Sequence, residues 1–432
     1  EVSEDHGTSI RSGNQYTPPT LDVYYSKNLG KKDEISLNII GSAYNTNSYE
    51  VNKEWNLNSG ESVFDNDMKL KARQKSIVGE VAYTHQYEIG KLSAGYRLSN
   101  NNVSNTLNNL SGFSEYTVNY LTQYLYSEFS GKKNKWIYRL GLGLTNIHNK
   151  SAEATEDSWV MTPKLILGYT ISKNQSLRFS SSYTPYSPGS SALSSNLVQV
   201  VPNIVSSGNP YLKSQKRFGN NLTYSFNNSY FDFNANAFYW YTDNTINQYY
   251  RRDAAYGYML TYENAAHSQQ YGIQLTGSVK PFGNSLLVIK AVFAPASESL
   301  TTNDGTVFKN DYIGNYFVVS SEYKKFSIQY QFNIPQYTLN GAFLSTNENQ
   351  SHAFASYKLD RLTLMTGFYW IGMPSEYKTK SRPESLVNYS SHTKIMNNKS
   401  MFVLGLSYDF AKGKKNDIDR KLNNSTAPAA TF

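Results

Sequence analysis

The sequence predicts an all-β chain, a transmembrane antiparallel up-and-down β-barrel with about seventeen strands. Three observations carry that prediction. Apolar and polar residues alternate with period two over segments of roughly ten residues. The segments are joined by connections that are alternately short and long. Aromatic residues make up 15% of the 432-residue chain, with 37 Tyr, yet charged residues reach only 17%, against about a quarter in an average soluble protein.

A barrel wall in lipid accounts for this composition. Every second strand residue meets lipid and is apolar, and the residues between meet a wet lumen and are polar. Tyr suits the two interfaces, where the ring is buried and the hydroxyl is wet. The hydrophobic fraction of 39% is too low for a helical membrane protein. The best apolar run, Leu286 to Ala294, is broken by Lys290 and falls short of the ~20 residues that a helical span needs. Cys is absent, which removes disulfides, zinc–thiolate sites and a cysteine nucleophile together. The net charge of +8 is scattered over turns, loops and tail. It forms no basic stripe interleaved with aromatics, so no nucleic-acid partner is expected. No signal peptide is visible at Glu1, and the chain is expected to be a fragment of a longer one.

Taken in order, residues 1–19 are polar and unpatterned and are expected to be the remnant of an external loop. The barrel is expected over 20–410, its first strand near Thr20–Lys27. Trp136, Tyr138, Leu140, Leu142 and Leu144 alternate with Arg139, Gly141, Gly143 and Thr145. Leu177, Phe179 and Tyr183 alternate with Arg178, Ser180 and Ser182, and Leu222, Tyr224 and Phe226 with Asn221, Thr223 and Ser225. Tyr271, Ile273 and Leu275 form one face of another segment. The clearest segment has Phe326, Ile328, Tyr330, Phe332 and Ile334 on one face and Ser327, Gln329, Gln331 and Asn333 on the other. Phe402, Leu404, Leu406, Tyr408 and Phe410 close the series and are expected to face lipid.

Short connections hold turn residues and Lys: 28–33, 88–91, 131–135, 172–175, 281–285, 324–325 and 360–361. Long ones are expected at 47–69, 103–114, 185–215, 297–311 and 373–398. Tight periplasmic turns opposite longer external loops are the topology of an outer-membrane barrel. Residues 411–432, with Lys412, Lys414, Lys415, Arg420 and Lys421, read as a polar, basic, disordered periplasmic tail.

Four stretches resemble the C-terminal barrel of TonB-dependent outer-membrane receptors, most closely the Bacteroidetes branch called the outer membrane protein β-barrel family. Pro18-Pro19-Thr20-Leu21-Asp22-Val23-Tyr24-Tyr25 is similar to its strand opening. Gly208-Asn209-Pro210-Tyr211-Leu212-Lys213 is similar to its Gly-Asn-Pro-x-Leu-Lys-Pro loop, with Ser214 in place of the last Pro. Tyr262-Glu263-Asn264-Ala265, followed by Tyr271-Gly272-Ile273-Gln274-Leu275, resembles its Asn-x-Gly … Tyr-Gly-x-Glu-Leu element. Gly405, Tyr408 and Phe410 fit the last-strand signal read by the barrel-assembly machinery, with Val403 at a position where a polar residue is preferred. The resemblance implies a place in the bacterial outer membrane, among lipid, as part of a barrel of about twenty-two strands. It implies uptake of a scarce solute such as an iron chelate, glycan or peptide. It implies as partners a plug domain and TonB, reached through a missing N-terminal part, the assembly machinery and a surface lipoprotein. The rival reading is a plugless passive pore or a structural barrel.

No enzymatic chemistry is expected. The six His show no i, i+4 pair, so no metal site is expected. Asp65-Asn66-Asp67 begins like a calcium loop, but Leu70 occupies the required Gly position. No cofactor motif and no Gly-x-Ser-x-Gly occurs. Glu80, Arg97, Arg139, Arg178 and Lys290 are expected to face the lumen, because an Arg at the lipid midplane costs about 2–4 kcal/mol. They serve either to contact a plug or passing ligand or simply as solvated wall residues. The loop 185–215 supplies Tyr186, Asn209, Pro210 and Tyr211 as ligand-facing candidates. Trp240, Tyr249 and Tyr250 are the other candidates, able to stack on sugars or to belong to the aromatic girdle.

Overall fold

A computed structural model describes residues 6–17, 19–201, 203–410 and 420–428. The chain folds as one long antiparallel meander. It begins with β1 (His6–Thr17), β2 (Thr20–Asn28), β3 (Asp33–Asn56), β4 (Ser62–Tyr87), β5 (Gly90–Asn109), β6 (Gly112–Lys133), β7 (Trp136–Ser151), β8 (Thr155–Met161), β9 (Lys164–Ser172) and β10 (Gln175–Tyr186). The main sheet has nineteen strand segments. β1 and β2 follow one another along the same edge of β3, and β8 and β9 follow one another along β7. The nineteen segments therefore fill seventeen wall positions. The first strand pairs with β3 and the last, Met401–Tyr408, with Leu362–Tyr369. Among the described residues no ladder joins first to last.

The register keeps one face apolar across the whole wall. Phe402 lies opposite Phe368, which lies opposite Ala353, then Tyr330, Val319, Ile289, Val279 and Phe231. Seven of these eight are large and exposed. A one-residue slip anywhere would turn every later strand inside out. Phe402, Leu404, Leu406, Tyr408 and Phe410 share this outward face, with Leu404 79% and Phe410 82% exposed. The inward face is a mesh of small polar bonds, such as Ser327 to Ser356, Asn234 to Ser225 and Thr223 to Asn236.

One rim carries only short connections, and the long ones all lie on the other, beside short turns at 57–61, 110–111 and 302–306. The turn at 228–230 was not anticipated from sequence; Asn228 caps it by accepting from the backbone N–H groups of Tyr230 and Phe231. Three expected loops are instead wall. Residues 47–69, 103–114 and 297–311 are mostly strand, with β3 meeting β4 only around 57–61. The outward residues of β4 show why. Asp65, Asp67, Lys69, Lys71, Arg73 and Lys75 give way abruptly to Ile77, Gly79, Val81 and Tyr83. Below the switch the outside is lipid; above it the outside is water, so polar residues point out while Met68, Leu70 and Ala72 are buried inside. The alternation is still present but inverted.

The expected loop remnant at 1–19 is corrected for the same reason. His6–Thr17 is a strand with a twelve-residue ladder to β3, from His6 opposite Asn56 to Thr17 opposite Asn45. So high on the wall, no lipid demands an apolar face.

The expected tail also needs correction. Residues 411–419 and 429–432 lie outside the described residues. Residues 420–428, however, lie against the inner face of β2, β3 and β4. Arg420 meets Asp22 at 2.6 Å and Lys421 meets Glu34 at 3.1 Å. Asn424 donates to Asn38 and Glu80, and Leu422 is buried. The basic pair that reads as solvated charge finds acids on strands almost four hundred residues earlier, a pairing no local pattern reveals.

Candidate ligand-binding mouth of the barrel

The loop 185–215 turns inward over the lumen and is bonded to the wall along its length. A single helical turn, Ser190–Leu193, buries Ala192 and Leu193 against Tyr116, Val118 and Leu212. Asn109 donates to the carbonyl of Leu197 at 2.7 Å and Asn66 to that of Gln199 at 2.8 Å. Val198 packs on Met68, Leu70 and Leu107. The short strands Val198–Val201 and Ile204–Ser206 then join Gly257–Asn264 and Ile246–Asp253 in a four-stranded sheet above the mouth. A second loop sheet contains Tyr337–Asn340, Phe343–Thr346, Ser375–Ser381 and Ser390–Ile395. Arg382 links the two sheets by donating to Asn247 at 2.9 Å. Its burial lowers the guanidinium pKa, and Glu384, 2.8 Å from Nε, opposes that shift.

The two loop motifs singled out in the sequence meet here. Asn209 donates to the carbonyl of Tyr262, while Asn264 accepts from the backbone N–H of Lys213 and donates to the Lys213 carbonyl. Gly208 passes so close to the helical turn that a Cβ would sit 2.5 Å from the Ala192 carbonyl oxygen, so no larger residue fits. Asn209 and Pro210 therefore build the loop, with the Asn209 side chain also accepting from the Tyr211 N–H. Tyr211 itself is 69% exposed. Ser214, the departure from the family pattern, is buried and gives its N–H and hydroxyl to Glu156.

Between this loop and β3–β5 lies a cavity of about 720 Å³, lined by Tyr49, Asn105, Ser190, Ser194, Gln248 and Tyr262 among others. Hydroxyls and amides dominate its polar lining, and Glu50 is the one charged residue in it. Tyr262 belongs to a motif read in the sequence, but Tyr49, Asn105, Ser190, Ser194 and Gln248 carry no distinctive pattern there.

The other aromatic candidates separate into two places. Tyr186 and Trp240 come together, with the Arg217 guanidinium between them at 5.4 and 5.5 Å from their ring centres. Lys164 and Arg178 share the same lumen cavity, of about 360 Å³, with Ser180, Ser182, Thr184 and Asn221. Among the described residues no carboxylate lines it. Tyr249 and Tyr250 lie instead in a separate cavity with Arg382, Glu263 and Asp304.

The wall charges all take inward register positions. Glu80 lies opposite Arg97 and accepts from Tyr126 at 2.6 Å. Arg139 pairs with Glu128 at 3.2 Å, which also holds Lys164 at 3.8 Å. Lys290 stands opposite Ser278 and Val318, far along the wall from the others. Sequence reading missed Glu128, Lys164 and Arg217, although each sits at an inward position of an alternating strand.

Residues 24–408 match the family described as the outer membrane protein beta-barrel family. The chain belongs to that family. As a member of the outer membrane protein beta-barrel family it resides in the bacterial outer membrane, and the exposed apolar face is the surface that meets lipid. It is similar to the solved copper transporter OprC, with a TM-score of 0.59 and 11% identity over 82% of this chain and 66% of that one. It is similar to the ferric-catecholate import receptor Fiu from E. coli K12, with a TM-score of 0.63 and 10% identity over 91% and 64%. It is also similar to the siderophore receptor PiuA from Acinetobacter baumannii, with a TM-score of 0.56 and 12% identity over 87% and 64%. At these identities the likeness is one of fold. The chain spans less than two thirds of the length of each of these proteins. No curated protein matches it.

Proposed function

We propose that this family member is the wall and external mouth of a TonB-dependent receptor that takes up a scarce solute. The observation that carries the reading is the mouth itself. Long loops fold into two small sheets over a wide wall, leaving a cavity and a cationic aromatic patch facing the passage. An open pore has no need of such cover. The seventeen positions fit within a barrel of about twenty-two strands. The plug domain and the TonB-contacting segment belong, on this reading, to sequence outside these 432 residues. The assembly machinery reads the strand ending Tyr408–Phe410, and a surface lipoprotein covers the mouth.

The patch built from Tyr186, Arg217, Trp240, Lys164 and Arg178 is the proposed first contact. Arg178 and Arg217, with Lys164 beside them although it is also held by Glu128, favour a solute bearing carboxylate, phosphate or catecholate oxygens, and the rings offer a stacking face. The solved neighbours named for ferric catecholate and siderophores support placing metal chelates ahead of glycans and peptides.

The test is uptake of labelled solutes of each class by cells producing the full-length parent protein, with and without TonB. Uptake of one class that vanishes without TonB supports the reading. Uptake of many small solutes that is indifferent to TonB replaces it with a passive pore.

A further inference from the structure

We propose that residues 420–428 are a latch that the lumen wall recognises by sequence, a basic peptide docked in a groove of acids. The inference concerns the wall and not the solute, and it stands apart from the transport reading.

The contacts climb the wall in order. β3 runs from the turn rim at Asp33 toward the mouth at Asn56. Lys421 reaches Glu34, Asn424 reaches Asn38, and Thr426 reaches Tyr44. On β4 the same direction holds: Asn424 meets Glu80, the Ala427 N–H donates to Ser76, and the Pro428 carbonyl accepts from Gln74. The segment is thus extended and rises along the lumen side of the first strands.

Its chemistry matches the groove. Asp22, Glu34 and Glu80 share the inward face, and each is bonded to the segment. Asn38 is fully buried beneath it. The Asn38 amide nitrogen donates to Asp22 and to the Val23 carbonyl, and its oxygen accepts from both the side chain and the N–H of Asn424. Leu422 and Asn424 are buried, while Lys421, Asn423 and Ser425 are exposed. That alternation is what a docked strand-like peptide shows, with side chains for specificity and main chain for grip. Its two ion pairs are partly exposed and individually weak, so the segment is held by their sum with the Asn424 bonds and can be exchanged.

The test uses the full-length protein carrying Leu422→Cys and a water-soluble maleimide. Protection is expected, with labelling at least tenfold slower than a Cys placed at a freely exposed turn residue, Lys173. A large excess of a synthetic peptide of residues 420–428 should speed labelling, and a scrambled peptide should not. Arg420→Glu with Lys421→Glu should also release the Cys, and adding Asp22→Arg with Glu34→Lys should restore protection. Asn424→Ala serves as a milder variant should the fourfold change fail to fold. Rapid labelling in the otherwise unchanged chain would overturn the proposal. So would protection that survives both the charge reversal and Asn424→Ala, since the segment would then be trapped and not recognised.

Discussion

Ser214 gives its backbone N–H to one Glu156 carboxylate oxygen at 2.7 Å and its hydroxyl to the other at 2.8 Å. The loop pattern that this stretch resembles has Pro at this position. A Pro has no N–H to give, so Ser214 makes a two-point clamp between the mouth loop and β8 that a Pro could not make. Asn149 joins the same cluster by donating to Glu156 at 2.8 Å.

Ser214→Pro removes both donors that a buried residue gives to the half-buried Glu156 carboxylate. It should destabilise the loop by about 2–4 kcal/mol, and Ser214→Ala, which spares the N–H, by about 1–2 kcal/mol. Limited proteolysis of the folded protein within 186–214 reports this. Equal cleavage of the two variants would show that the N–H bond contributes nothing.

Leu404 faces outward at 79% exposure, and its neighbour Val403 faces in. Leu404→Arg should cost about 2–4 kcal/mol in lipid if the site lies near the midplane, and Val403→Arg clearly less. Unfolding in lipid vesicles ranks them, and the reverse ranking would move the last strand by one residue.

Much of the wall was legible from sequence. Phe326 to Ile334 alternates without a fault, and the seventeen positions follow from such segments. Alternation failed where the environment changed along a single strand. On β4 the outward residues pass from Lys75 to Ile77 as the strand enters lipid, and the polar upper half looked like loop. His6–Thr17 was missed likewise. The mouth was legible only as a long loop. The meeting of Asn209 with Tyr262, or of Asn424 with Asn38, joins distant segments whose pairing leaves no local trace.

Arg217 lies between Tyr186 and Trp240 in the lumen cavity. Trp240→Ala and Arg217→Ala should each weaken solute binding at least tenfold, while the folded barrel persists in heat-shift electrophoresis, because both residues line a wet face. Unchanged affinity in titration of the solute found by the uptake assay would remove the patch from the binding site.

In the second loop sheet, Lys378 beside Glu376, together with a hydrogen bond from His392, holds the carboxyl below its ordinary value. A carboxyl lowered on folding adds stability that is present above its unfolded pKa of about 4.5 and is lost as pH falls through the folded value. Hydrogen-exchange protection in 375–381 and 390–395, taken relative to the intrinsic exchange rate at each pH, should therefore fall as the solution is acidified below that unfolded value, modestly because the pairs are exposed. Glu376→Gln should flatten that dependence, and an identical pH profile in the variant would assign it elsewhere.

The central claim is a wall crossing the outer membrane with its long loops outside. Asn58 sits in the connection between β3 and β4, and Lys173 in the turn between β9 and β10, both exposed and on opposite rims. Single Cys substitutions at these positions, in full-length protein on intact cells, should differ sharply toward an impermeant maleimide. The account predicts strong labelling of Asn58→Cys and none of Lys173→Cys until the outer membrane is breached. Equal labelling of both, or labelling of Lys173→Cys alone, would contradict it.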